Sequence, residues 1–463
     1  MEGILKMNYK GMSKLGLFFF SIIILTLFFS FSVLAEESEI IIPEFEYHNF
    51  QLNNGLQVFV FEDDSIPLVE LSIFYKVGSI DEEKGLTGIS HFLEHTMFMG
   101  TEALGKGKMD ELIKAVGGQN NAATSFDYTY YYQEVPSSML ELVMAIEADR
   151  MGNLLIDSEE IEREREVICQ ERRSRVENNV ITAGIEIIQA KAFPKSSLNH
   201  QIVGWMEDIE RIEAEDIRAY YDNYYSPNNA VLVIAGDVEL EEVKNLTKKY
   251  FAHYESREIK RPDFIEDKQE EEIVTEIELN TNIPFTFMLY KIPEGDHPDI
   301  MGINIFLDIL VNSQSSRIKQ ELQKKENLIL ETGTLLYEMR VPGFALVYFV
   351  PLNEGLIGKA QEAFDRELAH IIEEGIEDEE FQAVKKIYEK GLVFMQRDTV
   401  SMAQSIALSK LNYDNPELYR EQLAYLNQLS KEDIIGIASK YFNAENRVIG
   451  NIVPVKEQEI EGE

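Results

Sequence analysis

A chain of 463 residues is too long for one ordinary core and suits two halves of about 200 residues each. Its 45% hydrophobic and 10% aromatic content is that of a folded globular protein without low-complexity tracts. The formal charge of −39 argues against nucleic acid, since a phosphate-binding surface needs clusters of Lys and Arg that are missing here, and favours solubility or attraction of cationic peptides; one cysteine, Cys169, excludes any disulfide within the chain.

Residues 1–35 read as a targeting segment. Lys6, Lys10 and Lys14 precede an apolar run from Leu15 to Val33, and Ala35 then meets Glu36, Glu37 and Glu39. Val33-Leu34-Ala35 has the small-residue shape of a signal peptidase site, while the apolar run approaches the ~20 residues that span a bilayer. The layout predicts either a cleaved signal peptide or a retained N-terminal membrane anchor. Both place the remaining chain outside the cytoplasm, in the periplasm, in the medium or anchored facing outward.

Strands come next. Phe50 to Leu52, the turn Asn54-Gly55 and Leu56 to Phe61 form a hairpin signal, and Val69, Leu71, Ile73 and Tyr75 alternate with Glu70, Ser72 and Phe74 as in a half-buried strand. Helical patterns follow around 87–100, 107–116, 138–152 and 158–178, and this mixture predicts an α+β fold.

The segment 88–102, GISHFLEHTMFMGTE, carries the first chemical signal. On a helix, His91 and His95 lie four residues apart on one face, roughly 6 Å between Cβ atoms, so two imidazoles can share one ion. Glu94 points to the same side and can act on a water at the ion as general base. A catalytic zinc has three protein ligands and keeps a fourth position for water, so one more ligand is needed. The helix 158–178, SEEIEREREVICQERRSRVEN, supplies candidates. Glu164, Ile168 and Glu171 share a stripe with Ile161, and a carboxylate on an apolar stripe needs a compensating charge. Spacing alone leaves Glu164 and Glu171 as alternatives. Two neutral imidazoles and a carboxylate around Zn2+, one per chain, make the expected chemistry metal-assisted amide hydrolysis.

Two later stretches echo each other. Residues 212–236, IEAEDIRAYYDNYYSPNNAVLVIAG, and 429–453, LSKEDIIGIASKYFNAENRVIGNIV, repeat Glu215, Asp216, Ile217, Tyr224, Asn229 and Val231 as Glu432, Asp433, Ile434, Tyr441, Asn446 and Val448. Each is a capped helix, a loop and an apolar strand, which predicts an internal duplication. The charged stretch 255–272 between them reads as a linker, dividing the mature chain into 36–262, which carries the metal motif, and 263–463, a homologous half without one. The second half restarts with an alternating strand from Ile277 to Tyr290 and contains another from Phe344 to Val350.

Together these motifs resemble the pitrilysin and insulinase group of inverzincins, in its branch of roughly 50 kDa that includes mitochondrial processing peptidase and bacterial processing peptidases. The likeness extends over nearly the whole mature chain and implies two similar halves, each a mostly antiparallel sheet with helices packed on it. The family signature places the ligand Glu 76 or so residues after the second His, which is the separation of His95 and Glu171 here. The resemblance therefore implies Glu171 as ligand and Glu164 as its neighbour in support. GGQNNAATSFDYTYYY at 117–132 is similar to the family's GGxxNAxT segment, which implies an edge strand where Asn121, Ala122 and Ala123 contact an extended peptide; the plainer alternative is a core strand packed by Phe126, Tyr128 and Tyr130. Gly204-Trp205 with Glu207-Asp208 resembles a family loop and carries structure only.

One departure is informative. Relatives carry an Arg and a Tyr seven residues apart after a segment like SSRLxxxLRxxxGLAY, and the pair helps bind the substrate carbonyl. Here Ser315-Ser316-Arg317 keeps the opening, but the two positions read Gln323 and Leu330. The resemblance then implies a catalytic subunit paired with an inactive homologous subunit that supplies the Arg and Tyr, cleaving peptides or unfolded polypeptides in a chamber. The alternative is a non-catalytic structural subunit of the same fold.

Overall fold

A computed structural model of the chain describes residues 45–395 and 397–455, so residues 1–35, expected to be a targeting segment, lie outside the described residues. The first hairpin forms β1 (His48–Gln51) and β2 (Gln57–Glu62), with Gly55 at the turn in the left-handed region at φ 90°. β3 (Leu68–Tyr75) follows, then helix α1 (Ile89–Thr96), β4 (Gln119–Thr124) and β5 (Thr129–Pro136). Helices α2 (Ser158–Arg172), α3 (Val180–Ala192) and α4 (Ala214–Tyr224) precede β6 (Ala230–Gly236). The sheet order is β1-β2-β6-β3-β5-β4, antiparallel except where β2 meets β6. β4 is thus an edge strand.

The second sheet is built from β7 (Ile273–Leu279), β8 (Phe285–Ile292), β9 (Ile329–Tyr337), β10 (Gly343–Pro351) and β11 (Arg447–Pro454), in the order β7-β11-β8-β10-β9. Its one parallel pair is β7 with β11. This is the order of the first sheet without β1, with a parallel pair at the corresponding place, so the fold is α+β with two similar halves. The continuous strand expected from Ile277 to Tyr290 is instead two strands, because Asn280 to Pro284 breaks the ladder where proline cannot donate.

The repeat persists in detail. Asp216 accepts from the Glu213 amide at 2.9 Å before α4, and Asp433 accepts from the Ser430 amide at 2.9 Å before the matching helix Lys431–Tyr441. At the far end, Asn229 donates to the Tyr224 and Lys76 carbonyls, as Asn446 does to those of Tyr441 and Lys291.

The halves exchange helices. The outer face of the second sheet, with Phe287, Leu346 and Val448, is covered by Ile185, Ile188 and Ala192 of α3 from the first half. The outer face of the first, with Phe59, Phe74 and Val233, is covered by Met402, Ala403 and Ile406 of α5 (Thr399–Tyr413) from the second. β3 is therefore buried on both faces, Phe74 and Ser72 at 1% exposure each, where alternation predicted burial of one. Glycines permit the close seating: a Cβ at Gly184 would lie 2.2 Å from Ile452 Cδ1. Residues 255–272 contain no helix or strand, yet Arg261 reaches buried Asp81 at 2.6 Å, and Asp81 also pairs with Arg340 of the second half at 2.5 Å.

Candidate metal centre

α1 starts behind Gly88, whose φ of 87° suits glycine and whose pro-Cβ would lie 2.3 Å from the Val203 carbonyl oxygen. The first turn is capped by the buried carboxylate of Glu82, which accepts from the Gly88 amide at 2.7 Å and the Ser90 amide at 2.9 Å. Ile89, Phe92 and Leu93 anchor one side of the helix in the core, leaving His91, Glu94 and His95 on the cavity side.

α2 crosses nearby, with Asp157 capping its start and Ile161 and Ile168 buried along one stripe. That stripe carries Glu164 and Glu171 inward. His95 Nε2 lies 3.4 Å from Glu171 Oε2, and His91 Nε2 lies 3.8 Å from Glu171 Oε1. Ligand atoms from His91, His95 and Glu171 all fall within 4.8 Å of one another. Donors about 2.1 Å from one tetrahedral ion stand roughly 3.4 Å apart, a value the His95–Glu171 distance matches, and two imidazoles with a carboxylate suit zinc in donor type. Glu164 stands one step back, with Oε1 2.8 Å from His95 Nδ1.

The clustered groups shift one another's proton affinity. Burial disfavours charge on His95, but Glu164 and Glu171 outweigh it and raise its pKa to about 9. Burial and the adjacent His95 push His91 below the ordinary histidine range, while the hydrogen bond from His95 holds Glu171 below the carboxylate range. Without an ion, a proton on His95 meets the demand of the carboxylates. Burial raises the pKa of Glu94, which accepts a 2.5 Å hydrogen bond from Thr124 at the end of β4. Asn121, Ala122 and Ala123 line the same cavity of about 1120 Å3, so edge strand and charged cluster share one space. Phe126 packs into the interior, and Tyr128 and Tyr130 lie against α5.

Two models of one peptidase family, M16, together cover most of this architecture. Residues 58–204 match "Insulinase (Peptidase family M16)" and residues 211–388 match "Peptidase M16 inactive domain". The chain belongs to the insulinase family. The zinc protease PqqE of Helicobacter pylori is 27% identical over 414 residues, 86% of this chain and 90% of that protein. The mitochondrial-processing peptidase beta subunit of Blastocladiella emersonii is 32% identical over 201 residues, 43% of each chain. A solved H. pylori protease superposes with a TM-score of 0.83 at 25% identity, covering 88% of this chain and 99% of that one.

Several residues that sequence reasoning missed position this insulinase-family site. Arg172, next to Glu171 and 4% exposed, forms a two-pronged ion pair with Glu186 of α3 and donates to the Gly204 carbonyl beneath the Trp205 ring. Thr87, just before Gly88, donates its hydroxyl to Asp208 at 2.6 Å and accepts from the Trp205 amide at 2.9 Å. The Gly204-Trp205 loop thus ties the start of α1 to the end of α2. Buried His200 stands 3.6 Å from Glu82 behind the same helix start. Charged residues in the runs DEEKG and ERRSR read as solvated faces, so only Gly88 and Gly204 carried a usable signal of close backbone approach. At the positions of the Arg and Tyr pair, Gln323 donates to the Leu330 carbonyl at 2.6 Å, which ties the helical turn to β9.

Proposed function

We propose that this insulinase-family chain is a zinc-dependent endopeptidase in which His91, His95 and Glu171 hold the ion and Glu94 is the general base. The observation that carries the reading is the gathering of one ligand atom each from His91, His95 and Glu171 within 4.8 Å of one another, with the Glu94 carboxylate beside them held by Thr124. A zinc ion there would supply Lewis acidity to the scissile carbonyl and to a water.

The chain's own residues do the rest. Glu164 holds the Nδ1 proton of His95 and so directs its Nε2 lone pair to the centre. Thr124 pins Oε2 of Glu94, leaving Oε1 to take a proton from water and return it to the leaving amine. An extended peptide adds to the free edge of β4 through main-chain hydrogen bonds along Asn121, Ala122 and Ala123, which tolerates varied sequence and requires an unfolded segment. The half 263–463 carries no metal cluster among the described residues, and the residues that line the cavity come from the first half.

Gln323 and Leu330 in place of the Arg and Tyr favour pairing with an inactive homologous subunit that provides them. Residues 1–35 favour action outside the cytoplasm. The second reading, a structural subunit, is separated by activity: cleavage of an unfolded polypeptide by the wild type, alone or with such a partner, and its loss in Glu94→Gln, supports the enzyme. Equal cleavage by both proteins overturns the assignment of the base.

A further inference from the structure

Glu171 has a fourth neighbour besides the two histidines and the core. Arg175 Nη1 lies 2.9 Å from Glu171 Oε1, although the arginine side chain is 74% exposed and reaches into the cavity. It projects from Arg173–Glu177, where the end of α2 widens to a π-type turn and the Asn178 amide donates to the Arg173 carbonyl at 2.8 Å. Such widened turns redirect side chains and recur at functional sites. Lys106, the other Lys or Arg lining the cavity, is engaged by Glu160 instead.

An exposed ion pair of this kind contributes little to folding. Its position is the informative part: a fixed cation beside an ion-binding carboxylate opposes the incoming dication and occupies one of the two oxygens that could bind it. We propose that Arg175 is a positioning residue of the metal site, which holds Glu171 Oε1 so that Oε2 alone serves the ion and a coordination position stays open for water. This rests on the metal-site reading above. It assigns Arg175 a cost in zinc affinity in return for a one-oxygen ligand, and makes it a determinant of turnover through Glu171.

The test uses the full chain as wild type, Arg175→Gln and Arg175→Lys, with zinc affinity from chelator competition and the visible spectrum of the cobalt-loaded proteins. Arg175→Gln should bind zinc roughly three- to tenfold tighter, as expected for removal of a screened like charge. Its cobalt bands should weaken toward those of a higher coordination number, and kcat should fall with KM unchanged. Arg175→Lys, which keeps the charge, should return toward wild type. Unchanged or weaker zinc binding in Arg175→Gln, with an unchanged cobalt spectrum, overturns the inference and leaves the metal site standing. A wild type that takes up neither zinc nor cobalt overturns the metal-site reading, and the role of Arg175 with it.

Discussion

Glu164 Oε1 lies 2.8 Å from His95 Nδ1, so one carboxylate decides which nitrogen of that ring faces Glu171. With Nδ1 carrying the proton, Nε2 is free to bind an ion. Glu164→Gln should weaken zinc binding by about 10- to 100-fold, the usual effect of losing a carboxylate behind a ligating histidine. Glu164→Ala should be at least as severe. Chelator competition measures both. The buried Nδ1 of His91 has no such partner among the described residues.

Glu94 and the metal ligands should separate cleanly. Glu94→Gln should keep one zinc per chain and lose about 10²- to 10⁴-fold in kcat, because the amide still accepts the Thr124 hydrogen bond but cannot take a proton. His91→Ala and Glu171→Ala should lose the zinc and the activity together. Metal analysis beside a peptide-cleavage assay distinguishes the two classes.

The metal-free protein should be sensitive to pH through His95. Its pKa in the folded state is about 9, above the ordinary histidine value of 6.5, so the stability it contributes is complete below about 6.5 and is lost as pH rises through 9. Thermal melts of chelator-treated protein should fall over that window, and saturating zinc should flatten the dependence. Zinc uptake near pH 7.5 should release about one proton from this ring, read by calorimetry in buffers of different ionisation enthalpy.

Arg172 links α2 to α3, and its pair with Glu186 is buried at 5% and 6% side-chain exposure. Arg172→Ala leaves that carboxylate buried without its partner and should destabilise the fold by about 3–5 kcal/mol. Arg172→Ala with Glu186→Ala should cost less than the two single changes summed, since they touch. Denaturant melts of the set measure this.

What the sequence revealed follows the range of the interactions. α1 and its histidines were legible because a four-residue repeat of metal-binding types is a local pattern, and β2, β3 and β10 because strand alternation is local as well. The family signature, rather than periodicity, separated Glu171 from Glu164, which share one stripe of α2 and differ only in which reaches both imidazoles. The helix exchange was not legible. The apolar face of α3 or α5 states that something must cover it without stating which sheet, and glycines at 184 and 450 acquire meaning only against Ile452 and Ile188. Glu82 and Arg172 were hidden for the opposite reason, since in a chain of this acidity a charged residue reads as solvated until its partners are seen.

Zinc content is the most direct measure of the central claim. Wild-type protein purified from zinc-replete medium without chelator should carry one zinc per chain by mass spectrometry of the metal, while His91→Ala prepared alongside it, and folded by circular dichroism, should carry none. Wild-type protein with no bound zinc, or a histidine variant that retains a full equivalent, would contradict the account.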